Sequence, residues 1–121
     1  MRTLRKSLAD RGQRSAVIVE HLLGLEAVRA ASCLLAYESV PGEVETSGLV
    51  AWCRSNDVGL VMPEDDELVP DRFDVSVVPG TAFTTTGRRL GQGGGWYDRL
   101  LPLRRADAVT IGLAFREQIV V

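Results

Sequence analysis

The sequence has few of the residues that build disulfide frameworks or metal centres. It contains two cysteines and one histidine in 121 residues. Neither Cys33 nor Cys53 belongs to a Cys-x-x-Cys pair or lies at a metal-binding spacing from His21. Both cysteines have apolar neighbours in the sequence, so we predict reduced core thiols of a cytoplasmic protein. We interpret His21 as a structural residue within a helix.

Long apolar runs are also missing. No run approaches the roughly 18 residues that a membrane span requires. The basic N-terminal stretch lacks a signal-peptide core, since Val17–Val19 leads directly into Glu20. The net charge of −2 argues against a uniformly basic nucleic-acid binder. We therefore expect neither a membrane nor a nucleic acid as a partner.

Lysine is nearly absent from the basic residues. Thirteen of the fourteen are arginine, and Lys6 is the exception. The planar guanidinium group suits recognition of phosphate and carboxylate groups, although a biased genomic composition would produce the same skew.

The composition is otherwise that of an ordinary globular protein. Hydrophobic residues make up 45% of the chain and charged residues 25%, as in typical soluble domains. A chain of this length forms one core. We predict that residues 1–121 form a single domain, and we expect a monomer.

Apolar periodicity and turn residues divide the chain into alternating helices and strands. Helices are predicted over residues 4–25, from a cap at Thr46 through Cys53, and over Trp96–Leu101. Strands are predicted at Cys33–Tyr37, Val58–Met62, Phe73–Val78 and Thr110–Ala114, with a stub at Ile119–Val121. Because the strands are continuous apolar runs, we predict an α/β fold with a mostly parallel open sheet and helices on both faces.

The connections place the candidate site at one end of this sheet. Ligands of open α/β sheets bind beyond the carboxyl ends of the strands. The turn Ser39–Glu45 and the loop Pro79–Gly95 both follow predicted strands at that end. The acidic stretch Glu64–Asp74 is predicted to be a solvated loop.

A glycine-rich stretch before the last predicted helix carries most of the chemical information. It reads Gly91-Gln-Gly-Gly-Gly-Trp-Tyr-Asp98. Glycines let backbone N–H groups converge on a phosphate, and a helix start adds positive potential. Arg88 and Arg89 add charged donors, and Asp98 could hold Mg²⁺. The stretch is neither a Walker loop nor a dinucleotide fingerprint, and a flexible connection is the alternative interpretation.

Three ordered motifs resemble the 5-formyltetrahydrofolate cyclo-ligase family. The first is Arg89-Leu-Gly-Gln-Gly-Gly-Gly-Trp-Tyr-Asp-Arg99, which is similar to the family's signature. Phe73-Asp-Val-Ser-Val-Val-Pro-Gly-Thr-Ala-Phe83 and Ile111-Gly-Leu-Ala-Phe-Arg-Glu-Gln-Ile119 resemble its flanking strands. Upstream, Gly42-Glu-Val-Glu-Thr46 resembles the segment with its substrate-contacting Glu. A generic phosphate-binding domain would leave these motifs unexplained.

The resemblance implies both a fold and a reaction. The fold is a NagB/RpiA/CoA-transferase-like α/β sheet. The reaction is the ATP- and Mg²⁺-dependent conversion of 5-formyltetrahydrofolate to 5,10-methenyltetrahydrofolate, with release of ADP and phosphate. The implied partners are therefore a reduced folate and ATP.

The resemblance also implies roles for individual residues. The implied nucleotide-binding residues are Arg5, Arg89, Leu90, Gly91, Gln92, Gly93, Gly94, Gly95, Trp96 and Tyr97. Arg89 and Tyr97 are implied to be catalytic, and Asp98 to ligate Mg²⁺. The implied folate contacts are Glu43, Gln92, Gly93, Gly94, Gly95 and Trp96. Alternatively, Glu43 is a surface acid beside a turn, Arg5 lies on a solvated helix face, and Asp98 pairs with a helix dipole.

Two of the departures from the family pattern concern the length of the chain. The family carries a longer segment where the acidic stretch Glu64–Arg72 stands, and it continues beyond the position of Val121. We therefore expect a domain that is shortened in the middle and at the C-terminus. Two functions fit: an active, minimal cyclo-ligase, or a non-catalytic relative that binds nucleotide or folate.

Overall fold

The computed structural model describes residues 8–64, 69–80, 82–91 and 95–120 as helices, strands and connecting loops. In chain order the elements are α1 (Leu8–Leu23), α2 (Glu26–Arg29), β1 (Cys33–Leu35), α3 (Ser47–Ser55), β2 (Gly59–Val61), β3 (Val75–Val78), β4 (Ala82–Thr84), β5 (Arg89–Leu90), α4 (Trp96–Leu100), a 3₁₀ turn (Leu101–Leu103), β6 (Val109–Gly112), a second 3₁₀ turn (Arg116–Gln118) and β7 (Ile119–Val120).

A parallel four-stranded sheet forms the centre of the fold. Its strand order is β2-β1-β3-β6, and all three pairings are parallel. Every residue of β1 and β3 is buried, while the edge strands β2 and β6 are partly exposed. Continuous apolar strands are what a sheet covered on both faces requires. The predicted α/β class and its parallel sheet are confirmed.

Helices cover both faces of this sheet. On one face, residues of α1 and α3 such as Val19, Leu22 and Leu49 pack in a core with Leu34 and Val77 of the strands. A smaller core on the other face contains Cys33, Leu35, Val61 and Phe73, packed against Trp96, Tyr97 and Leu100. This smaller core holds α4, which directly follows the glycine-rich stretch, against the sheet.

Both cysteines are buried free thiols, as the sequence predicts. Burial raises the pKa of each thiol above its ordinary value. His21 lies in the last turn of α1 and is exposed. Among the described helices, none is both long and apolar enough to cross a membrane.

The predicted helices begin and end close to where the structure has them. The first was predicted over residues 4–25 and runs over Leu8–Leu23, with residues 4–7 outside the described part of the chain. Thr46 is the N-cap of α3, but its hydroxyl donates to the carbonyl of Tyr37 at 2.5 Å rather than capping the helix with its side chain. Pro102 does not stop the last helix abruptly, since a 3₁₀ turn continues it.

A second, three-stranded sheet was not predicted. Its order is β5-β4-β7, with β4 and β5 antiparallel and β7 parallel to β4. The Thr- and Gly-rich segment predicted as a loop therefore contains a hairpin, and Gly87 occupies its turn at a φ of 90°. The predicted stub at Ile119 is confirmed as β7, and Val121 lies outside the described residues.

One acidic side chain of the predicted solvated loop is structural. Asp74 accepts hydrogen bonds from the backbone N–H groups of Ser32 and Cys33, at 2.9 and 3.0 Å. The Asp74 backbone N–H donates to the Cys33 carbonyl, and the Asp74 carbonyl accepts from the Val109 N–H. Asp74 thus joins the amino ends of β1, β3 and β6, and the prediction of a uniformly solvated segment is wrong at this residue.

Candidate functional site

One cavity at the carboxyl end of the parallel sheet gathers the candidate residues. It has a volume of about 320 Å³. Its walls come from the loops after β1 and β3, from β5, and from the start of α4. The lining residues are Glu43, Pro79, Gly80, Arg89, Leu90, Gly91, Gly95, Trp96, Tyr97 and Asp98. Apart from Arg88, every described residue that the sequence analysis assigned to the site lines this cavity, and Pro79 and Gly80 are additions.

Some of the predicted residues are not part of this description. Arg5, Gln92, Gly93 and Gly94 lie outside the described residues, so their assigned contacts stay predictions. Arg88, expected to flank the phosphate loop with Arg89, is not among the described residues that line the cavity. In the hairpin turn, the Arg88 backbone N–H donates to the Thr84 hydroxyl, and the Arg88 carbonyl accepts from the Thr84 N–H. Arg88 belongs to this turn and precedes β5, which begins at Arg89.

Arg89 is the central cation of the site. Its guanidinium donates from Nη1 to the Pro79 carbonyl at 3.0 Å, and Nη2 lies 3.5 Å from Asp98 Oδ1. The same group stands 5.0 Å from the centroid of the Tyr97 ring. Only 12% of the Arg89 side chain is exposed, so its charge acts in a partly desolvated environment, where it attracts an anion more strongly than in water.

Tyr97 provides a neutral hydroxyl beside this cation. Burial raises the pKa of the Tyr97 hydroxyl to about 12; the charge of Glu43 adds to the rise, and Arg89 opposes it. The hydroxyl is therefore protonated at neutral pH and can donate a hydrogen bond. Trp96 packs against Tyr97 edge to face, with ring centroids 4.6 Å apart, which fixes the orientation of both rings.

Glu43 is a buried acid on the opposite wall. It is 8% exposed, so the alternative interpretation as a surface acid is wrong for this residue. Its Oε1 accepts from the Val40 N–H at 3.0 Å, and its own N–H donates to the Val40 carbonyl at 3.0 Å. Gly42, at a φ of 97°, makes this tight turn possible. The turn places this acidic residue among those that line the cavity.

Buried tyrosine and threonine side chains hold the Glu43 turn against the sheet. The Tyr37 hydroxyl donates to the Val44 carbonyl at 2.9 Å, and Thr46 bonds to the Tyr37 carbonyl. Burial, followed by the Glu43 charge, raises the pKa of Tyr37 well above its ordinary range. Both hydroxyls therefore act as fixed hydrogen-bond donors.

Asp98 stands at the mouth of the cavity and is the candidate metal ligand. Its side chain is 73% exposed, and the separation from Arg89 makes their ion pair weak. No group of three metal-binding side chains occurs in the part of the chain that the structure describes. An exposed carboxylate at the rim of the cavity fits Mg²⁺, which is commonly held by one or two carboxylates together with substrate phosphates.

The start of α4 brings these groups together. Gly95 is its N-cap and adopts a left-handed φ of 69°, a conformation that glycine adopts without strain. The helix has five residues, which place Trp96, Tyr97 and Asp98 in succession on the rim. A cavity with a half-buried arginine, a protonated phenol, a buried acid and a hard oxygen ligand can bind a polyanion beside a polar ring system.

A family model and a curated relative both match this chain and carry the same enzyme name. A family model described as the 5-formyltetrahydrofolate cyclo-ligase family matches residues 53–121. The chain is also 26% identical, over an alignment of 155 residues, to the 5-formyltetrahydrofolate cyclo-ligase of Haemophilus influenzae. That alignment covers 98% of this chain and 83% of the relative.

Solved structures share the fold. The chain superposes on the 5,10-methenyltetrahydrofolate synthetase of Mycoplasma pneumoniae with a TM-score of 0.83 and 22% identity, covering 98% of this chain and 84% of that one. The NMR structure of the Aquifex aeolicus 5,10-methenyltetrahydrofolate synthetase gives a TM-score of 0.80 and 22% identity, covering 98% and 76%.

Proposed function

Because this chain belongs to the 5-formyltetrahydrofolate cyclo-ligase family, we propose that it converts 5-formyltetrahydrofolate to 5,10-methenyltetrahydrofolate with hydrolysis of ATP to ADP and phosphate. The family identifies the chain as a ligase of folate-dependent one-carbon metabolism. The observation that carries the proposal is the convergence of Glu43, Arg89, Tyr97 and Asp98 on one cavity. These residues come from three separate segments of the chain.

The proposed chemistry is phosphoryl transfer followed by ring closure. The formyl oxygen attacks the γ-phosphorus of ATP, and the bond to the bridging oxygen breaks to release ADP. N10 then attacks the activated formyl carbon and loses its proton. Inorganic phosphate leaves as the ring closes. Phosphoryl transfer depends on positioning and charge neutralisation rather than on a protein nucleophile, so a site without such a nucleophile suffices.

Each described residue has a part in this reaction. Arg89 neutralises charge on the transferred phosphoryl group, since its guanidinium is partly desolvated and points into the cavity. Tyr97 donates from its protonated hydroxyl to a phosphate or formyl oxygen. Asp98 would hold Mg²⁺, which supplies further charge neutralisation when it is bound.

The folate side of the site is built around Glu43. Its carboxylate, set in a turn that lines the cavity, accepts hydrogen bonds from N–H groups of the reduced pterin. Trp96 provides a flat surface for the ring. Carboxylate acceptors in partly buried sites discriminate strongly between ligands that donate and those that do not.

Formation of the methenyl product tests the proposal directly. Purified protein is mixed with 5-formyltetrahydrofolate and Mg-ATP, and product is followed by its absorbance and by release of phosphate. We expect both to rise together in a one-to-one ratio, and Arg89→Ala to slow both by about a hundredfold or more while leaving a measurable rate. Binding of ATP or folate without any product would contradict the enzymatic proposal and support the non-catalytic alternative.

A further inference from the structure

Gln118 spans two parts of the structure with one amide group. It is the last residue of the 3₁₀ turn Arg116–Gln118. Its Oε1 accepts from the Phe115 N–H at 2.9 Å, and its Nε2 donates to the Gly80 carbonyl at 2.9 Å. A half-buried amide that satisfies both a donor and an acceptor fixes the distance between the segments it joins.

The segment held by Gln118 is the wall that supports Arg89. Gly80 is buried and lines the cavity, and the adjacent Pro79 carbonyl accepts from Arg89 Nη1 at 3.0 Å. The wall also packs tightly: a Cβ added at Gly80 would lie 2.9 Å from Arg89 Cγ and 2.9 Å from Phe83 Cζ. A shift of the Pro79–Gly80 segment would therefore move Arg89.

The turn that carries Gln118 is itself anchored. Phe115 is 1% exposed, and the Arg14 guanidinium stands 4.8 Å from the centroid of its ring. Arg14 also forms a two-contact ion pair with Glu117. Gln118 thus projects from a position fixed against α1, and it cannot follow the Pro79–Gly80 segment without breaking these contacts.

We propose that Gln118 is a positioning residue for Arg89, acting through the Pro79–Gly80 wall. The inference rests on the proposed function, in which Arg89 binds the phosphates of ATP. The positioning acts through the hydrogen bond that Gln118 Nε2 donates to the Gly80 carbonyl. Loss of that donor lets the wall relax, and Arg89 leaves the geometry in which it meets the transferred phosphoryl group.

The sharpest variant is Gln118→Glu. It keeps the shape and the oxygen that accepts from Phe115, but it replaces the donor with a second acceptor facing the Gly80 carbonyl. Gln13→Glu is the matched control, since Gln13 is exposed on α1 and the charge change is the same. Gln118→Asn, which is one methylene too short to span both contacts, serves if the glutamate variant does not fold.

Steady-state kinetics give the first readout. We expect kcat/KM for ATP to fall about tenfold or more in Gln118→Glu, with the KM for the folate unchanged and with no change in Gln13→Glu. In an Arg89→Ala background, Gln118→Glu should lower kcat/KM for ATP only slightly, because the residue that Gln118 positions is gone. An unchanged kcat/KM for ATP, or a loss that simply adds to that of Arg89→Ala, would overturn the inference.

A second readout does not depend on turnover. The side-chain Nε–Hε NMR resonance of Arg89, assigned by its disappearance in Arg89→Lys, reports the environment of the guanidinium. It should move in Gln118→Glu and stay in place in Gln13→Glu. Lack of turnover by the unmodified protein would count against the proposed function alone. A stationary Arg89 resonance in the Gln118 variant would overturn the positioning role.

Discussion

At the scale of single residues, the site depends on how exposed each charged group is. Arg89 is nearly enclosed and is held by the Pro79 carbonyl, whereas Asp98 is mostly exposed and lies 3.5 Å from Arg89. The exposed carboxylate can leave Arg89 at little cost. This difference makes Arg89 a fixed donor and Asp98 a group that is available to a cation.

Replacing Asp98 distinguishes a role as a ligand of Mg²⁺ from a role as the partner of a helix dipole. We expect Asp98→Asn to weaken Mg-ATP binding roughly tenfold or more, the equivalent of one lost charge-assisted contact, while metal-free ATP binds almost as before. Calorimetric titrations with and without Mg²⁺ measure both affinities. Asp107→Asn, at an exposed acid paired with Arg105, is the control. Equal losses with and without the metal would instead favour the helix-dipole interpretation.

Ser76 is a buried polar residue in the middle of β3. It is fully buried, and its hydroxyl has no hydrogen-bond partner among the described residues. The register pairs Ser76 with Leu35, so both side chains face the core that α4 covers. A buried hydroxyl without a partner costs about 1–3 kcal/mol relative to a satisfied one.

We therefore expect Ser76→Ala to raise the free energy of unfolding by about 1 kcal/mol. Urea denaturation measures the change, and Ser55→Ala, at the exposed end of α3, should stay within about 0.5 kcal/mol of the unmodified protein. A clear loss of stability in Ser76→Ala would show that the hydroxyl has a structural role.

At the scale of elements, α1 connects two walls of the cavity. Ser15 Oγ accepts from the Glu45 N–H at 2.9 Å, and Arg11 Nε lies 3.3 Å from Glu45 Oε2. These contacts hold the loop that carries Glu43. Arg14, which lies between these two residues on the helix, pairs with Glu117 beside Gln118. A single helix thus fixes segments that are far apart in the sequence.

The Arg14–Glu117 pair predicts a defined pH dependence. The Arg14 guanidinium lowers the pKa of Glu117 from 4.5 to about 2. Because the pKa of Glu117 is lower in the folded state than in the unfolded state, the ionised carboxylate stabilises the fold at pH values above the unfolded-state pKa. This stabilisation is lost as the pH falls towards the folded-state pKa. Glu117→Gln should therefore be less stable than the unmodified protein at neutral pH, with the difference shrinking between pH 4.5 and pH 2.

Denaturant unfolding at a series of pH values tests this expectation. Because the pair is exposed, the difference at neutral pH should be small and should decrease at high salt. Glu20→Gln, at an exposed acid of α1, provides the control for charge alone. A difference between Glu117→Gln and the unmodified protein that stays constant down to pH 2 would contradict the ion-pair origin.

The sequence predicted the elements better than their ends. The apolar runs identify all four strands of the parallel sheet, but the run Cys33–Tyr37 is paired as a strand only over Cys33–Leu35. Ala36 and Tyr37 are equally buried, yet they lie past the strand that pairs in register. Burial is visible in a sequence, whereas the point at which two strands separate is not.

The second sheet and the site wall depend on contacts that are distant in the sequence. The β4–β5 hairpin has a local signal in its Gly87 turn, but the pairing of β4 with β7 has none. Glu43 and Tyr97 were assigned to the site through the resemblance to a family, whereas Arg89 was already a candidate because it flanks the glycine-rich stretch. Pro79, Gly80 and Gln118 gain their roles from tertiary contacts, although Pro79-Gly80 at the end of a predicted strand marked the correct edge of the sheet.

At the scale of the whole molecule, the cavity joins parts of the chain that fold against different faces of the sheet. Glu43 belongs to a loop held by α1, while Tyr97 belongs to α4 on the other face. A ligand that contacts both walls would link the two hydrophobic cores. Binding should then stabilise the whole domain rather than one loop, because the ligand has affinity only for the assembled site.

Thermal unfolding with ligands makes this expectation measurable. At a Mg-ATP concentration about one hundred times its Kd, linkage adds about 2.7 kcal/mol to the free energy of unfolding. For a domain of this size that corresponds to a rise in Tm of roughly 10 °C, in one cooperative transition. Arg89→Ala should lose most of the rise, because the phosphates lose their enclosed cation, whereas Arg88→Ala should retain it. An equal rise in both variants would place the nucleotide elsewhere, since of these two arginines only Arg89 is among the described residues that line the cavity.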